Sequence, residues 1–147
     1  MIVCGFAGIG KTHLAKHRAG WVDLESTPFE KNWATYAGVA YHMSMNGFDV
    51  LLSCHEELRD FLRKKKIPFI TVAPDVTLKE HYLERYKSRG NAESFIQNMD
   101  KNWHNYMSSI PGHKDDHVFI LKEEEYLSYG SVLARLRGSW EEKFVPF

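Results

Sequence analysis

Short apolar runs and longer amphipathic stretches follow one another along this chain. "IVCGF" (2–6) is a compact apolar run ending in a glycine-rich turn, with helix expected from about Lys11. "WVDLE" (21–25) is a second short run. "TPFE" follows it, with Thr27 as a helix cap, Pro28 at the first helical position and Glu30 completing a capping box. The helix so opened carries Trp33, Tyr36, Ala37, Ala40 and Met43 at helical spacing and is expected to stop near Asn46-Gly47. "FDVLLSC" (48–54) is a continuous apolar run of the kind that forms a buried strand. Ser53 and Glu56 are spaced as a second capping box, and Leu58, Phe61 and Leu62 give the next helix its stripe.

"IPFITV" (67–72) reads as a fourth strand, and "TLKE" (77–80) as a third capping box before a helix carrying Leu78, Tyr82, Leu83 and Tyr86. "SRGN" (88–91) breaks that helix. Phe95, Ile96, Met99, Trp103, Tyr106, Met107 and Ile110 then trace one face of another, ended by Pro111-Gly112. "HVFIL" (117–121) is a fifth strand; Val132, Leu133 and Leu136 suggest a last helix, and "GSWEEKFVPF" (138–147) carries no assignable pattern. Five strands alternating with helices imply an α/β fold, with a five-stranded parallel sheet covered by helices on both faces. The whole chain, 1–147, reads as one doubly wound domain. Ligands of such sheets bind at the carboxyl ends of the strands.

Composition narrows the classes. Lys+Arg and Asp+Glu both number 19, so the formal net charge is zero and a long nucleic acid is not favoured as the main partner. The "RKKK" run (63–66) leaves nucleic acid open, but is more simply the solvated end of a helix. No apolar run is long enough for a membrane span, and Met1 leads directly into "IVCGF" without a signal peptide. A cytoplasmic protein is expected, with Cys4 and Cys54 as small apolar residues in strands. The eight histidines form no metal pattern; His13 and His17 are read as a helix face.

One motif carries specific chemistry. "GFAGIGKT" (5–12) satisfies G-x-x-x-x-G-K-[ST], the Walker A phosphate cradle, between a strand and a helix. Its glycines, Gly5, Gly8 and Gly10, let backbone N–H groups of residues 8–12, Ile9 included, converge on phosphate oxygens, and the helix adds its positive end. Lys11 is expected to reach the β- and γ-phosphates of ATP, and the Thr12 hydroxyl to bind Mg²⁺.

With this cradle the chain resembles the P-loop kinases of small molecules and nucleotides. These include the nucleoside monophosphate kinases and, closer in pattern, the gluconate and shikimate kinases. The resemblance covers most of the chain and rests on residues 5–12, "VDLES" (22–26), "LLSCHEELRDFLR" (51–63) and "LERYKSRGN" (83–91). It implies a three-layer P-loop NTPase fold with a small lid at about 85–95. It also implies that Asp23, at the end of strand two, orients or deprotonates an acceptor hydroxyl and holds Mg²⁺ together with Thr12. In shikimate-type kinases the pattern here is D-x-D. This chain has Asp23-Leu24-Glu25, so Glu25 is either a second acidic group facing the acceptor or a solvated residue.

Strand three lacks a carboxylate at its carboxyl end, since Asp49 lies at the other end, which argues against motor and switch NTPases. Arg59 either reaches an anionic acceptor group or pairs on the surface with Glu56 or Glu57. Arg85 and Arg89, at i and i+4 before Gly90, occupy the place of lid arginines that clamp the transferring phosphate. Asn91 stands where gluconate-type kinases usually have histidine.

The expectation is an ATP- and Mg²⁺-dependent kinase with Lys11, Asp23, Arg85 and Arg89 as its catalytic set. Its acceptor is a nucleotide or other small hydroxyl compound, entering over the aromatic-rich helix of residues 28–46. The alternatives are a kinase acting on a hydroxyl of a nucleic acid or of a modified base, a regulatory module that binds ATP without turnover, and a slow NTPase.

Overall fold

The computed structural model describes residues 1–110 and 117–145. Five parallel strands form one sheet in the order β2-β3-β1-β4-β5: β1 (Ile2–Gly5), β2 (Trp21–Asp23), β3 (Asp49–Ser53), β4 (Ile70–Pro74) and β5 (His117–Leu121). The helices are α1 (Lys11–His17), α2 (Trp33–Met45), α3 (Glu56–Lys64), α4 (Lys79–Ser88), α5 (Glu93–Ser109) and α6 (Gly130–Phe144). Alternate residues of the central strands go to opposite faces, as the two-residue period of a strand requires. Ile2, Cys4, Val50 and Leu52 pack with Tyr36, Ala37 and Ala40 of α2 and Leu58 and Leu62 of α3. Val3 and Leu51 pack with Leu14 of α1, Tyr82 and Tyr86 of α4, Trp103 of α5 and Leu136 of α6. The expected α/β class, parallel sheet and helical layers on both faces are all present.

Several local expectations were wrong, each for a backbone reason. Thr27 caps no α-helix. Thr27–Phe29 is one 3₁₀ turn, Glu30 and Lys31 take left-handed φ of 49° and 62°, and α2 starts at Trp33, where the Asn32 side chain accepts from Thr35 N at 3.1 Å. Ser53 is still strand, its N–H donating to Tyr36 Oη at 3.1 Å, and α3 begins after His55. Thr77 lies in a second 3₁₀ turn, capped by Asp75 at 3.0 Å, so the third box fails as well. β4 starts at Ile70 rather than Ile67, because Pro68 has no N–H to give a ladder. Cys54 lies just past β3 and is only partly buried.

Other expectations held. α2 stops at Asn46 with Gly47 at φ 90°, and α4 stops before Gly90 at φ 82°. The unassigned tail continues α6 through Phe144. Pro111-Gly112 lies outside the described residues. Asp49 does sit at the amino end of the sheet, held by Arg137 and, at 3.2 Å, by the Met1 ammonium. Among the described residues no helix is long and apolar enough to cross a membrane.

Candidate functional site

The loop between β1 and α1 lies at the carboxyl edge of the sheet, where a parallel sheet offers its ligand site. Gly8 and Gly10 adopt φ of 90° and 99°. A Cβ on Gly8 would lie 2.9 Å from the Tyr86 ring, and one on Gly5 would lie 2.8 Å from Lys11 Cδ, so the loop needs glycine for space as well as for conformation. Three successive carbonyls of the loop, those of Ala7, Gly8 and Ile9, are engaged. Tyr86 Oη donates to Ala7 O at 2.9 Å, Arg85 Nη1 to Gly8 O at 2.9 Å, and Leu127 N to Ile9 O at 2.9 Å. The N–H groups of residues 8–12, by contrast, donate to nothing among the described residues. Tying down the carbonyls fixes the peptide planes and leaves a row of donors, which is a nest suited to an anion.

Lys11 completes the loop. Its ammonium donates to Gly5 O at 2.6 Å. Desolvation holds its pKa below the ordinary lysine value; Cys54, Asp23 and Cys4 oppose that shift, and Arg89 adds to it. A multiply charged anion in the nest would favour this charge. Thr12 Oγ1 donates to Asp23 Oδ2 at 3.0 Å, so the hydroxyl of the loop and the carboxylate of β2 already meet. An oxygen pair of this kind suits Mg²⁺, which takes one or two protein oxygens and fills its shell from phosphate and water. The residues present therefore fit a phosphate chain such as that of ATP, with Mg²⁺ beside it.

A cleft of about 770 Å³ opens on the loop and brings together Lys11, Thr12, Asp23, Glu25, Arg85 and Arg89. The two arginines of α4 differ, however. Arg85 is clamped: its guanidinium stands 4.3 Å from the Tyr82 ring and 3.9 Å from the Tyr126 ring, and donates to Gly8 O and, at 3.2 Å, to Glu123 O. It joins α4, the loop and the segment after β5, and so acts as a strut. Arg89 is exposed, packs on Tyr86 at 5.0 Å and donates to Asn91 Oδ1. Asn91 thus has a local partner on the same turn.

Arg59 does not line this cleft and is not on the surface. It is 1% exposed, and donates to Ser109 Oγ at 2.9 Å and to Ser109 O at 3.4 Å. It lines a second cleft of about 560 Å³ between α3 and α5. The aromatic residues of α2 line neither cleft. Tyr36 is fully buried. Its hydroxyl donates to Leu24 O and accepts from Ser53 N, tying the ends of β2 and β3, and burial pushes its pKa up to about 12. The aromatic side chains of α2 thus stand apart from both clefts.

Sequence reasoning missed His55, Asn98 and Asn102 in the second cleft and Tyr126 in the first. The uncharged polar positions of α5 were the one signal available for that side. Compared with protein-family models and with curated proteins, the chain matches none.

Proposed function

We propose that this protein is an ATP-dependent phosphotransferase of P-loop type, moving the γ-phosphoryl group of ATP to a hydroxyl of a small acceptor. The observation that carries the reading is the loop of residues 5–12, with the carbonyls of Ala7, Gly8 and Ile9 anchored, the N–H groups of residues 8–12 unengaged among the described residues, and Lys11 and the Thr12–Asp23 pair at its end. ATP and Mg²⁺, when bound, supply the transferable group and the countercharge. The chain's own residues do the rest. The loop N–H groups and Lys11 hold phosphate oxygens where negative charge is spread in transfer. Asp23 orients the acceptor hydroxyl and takes its proton as the new P–O bond forms and the bond to the ADP oxygen breaks. Arg89, on the cleft wall, neutralises charge on the moving group, while Arg85 keeps the loop in shape.

The test is an acceptor screen with γ-labelled ATP over nucleosides, nucleoside monophosphates, sugar acids and DNA. Label should pass to one acceptor class, and Lys11→Ala should lower that rate by about 10³-fold. ATP binding without transfer to any acceptor would overturn the reading.

A further inference from the structure

The second cleft lies over the carboxyl ends of β1 and β3 and meets the first at Ala7, Lys11, Ser53 and Phe95. A molecule held there has its near end at Lys11. One wall is α5, where Asn98, Asn102, Asn105, Tyr106 and Ser109 share a face beside the apolar Phe95 and Met99. The polar residues of this wall are all uncharged. The charged residues of the helix lie elsewhere, Asp100 being paired with Lys79 at 2.8 Å.

The carboxamides are held in place. Asn102 Nδ2 donates to Asn98 O at 3.0 Å and to Asn98 Oδ1 at 2.9 Å, and Asn98 Nδ2 donates to Tyr106 Oη at 3.1 Å. This leaves a second Asn98 amide hydrogen and the Tyr106 hydroxyl hydrogen as donors, with Asn102 Oδ1 as an acceptor. Phe95, at the junction, is fixed edge-on against Tyr86 at 5.2 Å and 80°. A fixed alternation of donors and acceptors beside an aromatic ring suits the edge and face of a nucleobase. Arg59, on the opposite wall, is anchored to the end of α5 by Ser109.

We propose that this cleft is the acceptor subsite, and that Asn98, Asn102 and Tyr106 select a base-bearing acceptor whose hydroxyl reaches the junction at Lys11. The transfer step rests on the phosphotransferase reading; the binding does not. The experiment is therefore a titration without ATP. The four deoxynucleosides, their 5′-monophosphates and a short single-stranded oligonucleotide are added to the wild-type protein, to Asn98→Ala/Asn102→Ala and to Asn102→Asp. Asn98 is exposed and Asn102 half-buried, and neither belongs to the hydrophobic core, so the variants should melt close to the wild type.

The expected result is binding of at least one of these compounds, weakened roughly tenfold in both variants, with ATP affinity unchanged. In turnover the same variants should raise the acceptor KM with kcat kept within about threefold. Binding by the oligonucleotide but by no free compound, with strong salt dependence, would place the base within a polynucleotide and supports the same subsite. No binding by any base-bearing compound, or equal binding by wild type and variants, overturns the proposal. Variant-sensitive binding with no label transfer from ATP would sustain the subsite and sink the phosphotransferase reading instead.

Discussion

Two clefts meet at Lys11, and they are built from different chemistry. The first is lined by Asp23, Glu25, Glu84, Arg85 and Arg89 around a loop whose N–H groups are unengaged among the described residues. The second presents carboxamides and a tyrosine on its α5 side, beside Phe95 and Met99, with His55, Glu56 and Arg59 facing them. Charged groups act most strongly where charge itself is redistributed, because a fixed dipole or ion in a partly dry site needs no reorganisation. Neutral amides carry direction without a large field, so they discriminate shape and hydrogen-bond pattern. On the reading proposed above, one side of Lys11 handles the moving phosphoryl group and the other reads the molecule that receives it.

The sharpest way to break this division is Asp23→Asn. The carboxylate belongs to the first cleft alone, so kcat should fall by about 10²-fold while the acceptor KM stays within about threefold. Steady-state kinetics on the acceptor found in the screen decides it; a KM rise matching that of the Asn98/Asn102 variant would merge the two clefts into one. The next effect separates two residues of the same cleft. Arg85→Ala removes charge-assisted bonds to Gly8 O and Glu123 O and should cost about 2 kcal/mol of stability, together with ATP affinity. Arg89→Ala should leave the denaturation midpoint unchanged and lower kcat. Equal midpoints for the two variants would remove the strut role of Arg85.

The contrast between the clefts also explains what could be read from the sequence. The first cleft is centred on eight consecutive residues whose requirements are local, with glycine at positive φ followed by Lys-Thr at the start of a helix. Asp23 was found because sheet topology fixes which end of a strand matters. The second cleft joins Arg59 to Asn98, Asn102 and Ser109, positions brought together only by the packing of α3 and α5. No spacing rule links them. The failed capping boxes have a related cause. Ser or Thr with Glu three residues on is a necessary pattern, but Tyr36 Oη had already claimed Ser53 N, and Asp75 had claimed Thr77 N. Tertiary and neighbouring side-chain partners outbid the local motif, and only the folded chain shows them.

The smallest effect expected is a pH dependence confined to the second cleft. His55 stands at the start of α3 with its ring 5.3 Å from that of Trp33. Partial desolvation lowers its pKa below the ordinary histidine value; Lys11, Lys31 and Arg59 lower it further, and Glu57 opposes them. The unfolded chain then binds a proton at this site more readily than the folded one. The contribution of His55 to stability is complete above its unfolded pKa of about 6.5 and is lost as the pH falls through its lower folded value. His55→Gln removes that proton uptake. Its melting temperature should match the wild type within about 1 °C above pH 7 and fall less steeply than the wild type below that. Parallel melting curves from pH 7.5 to about pH 5 would show that the ring is as well solvated folded as unfolded. The hydrogen-bonding role assigned to this side of Lys11 would then rest on the α5 amides without the histidine.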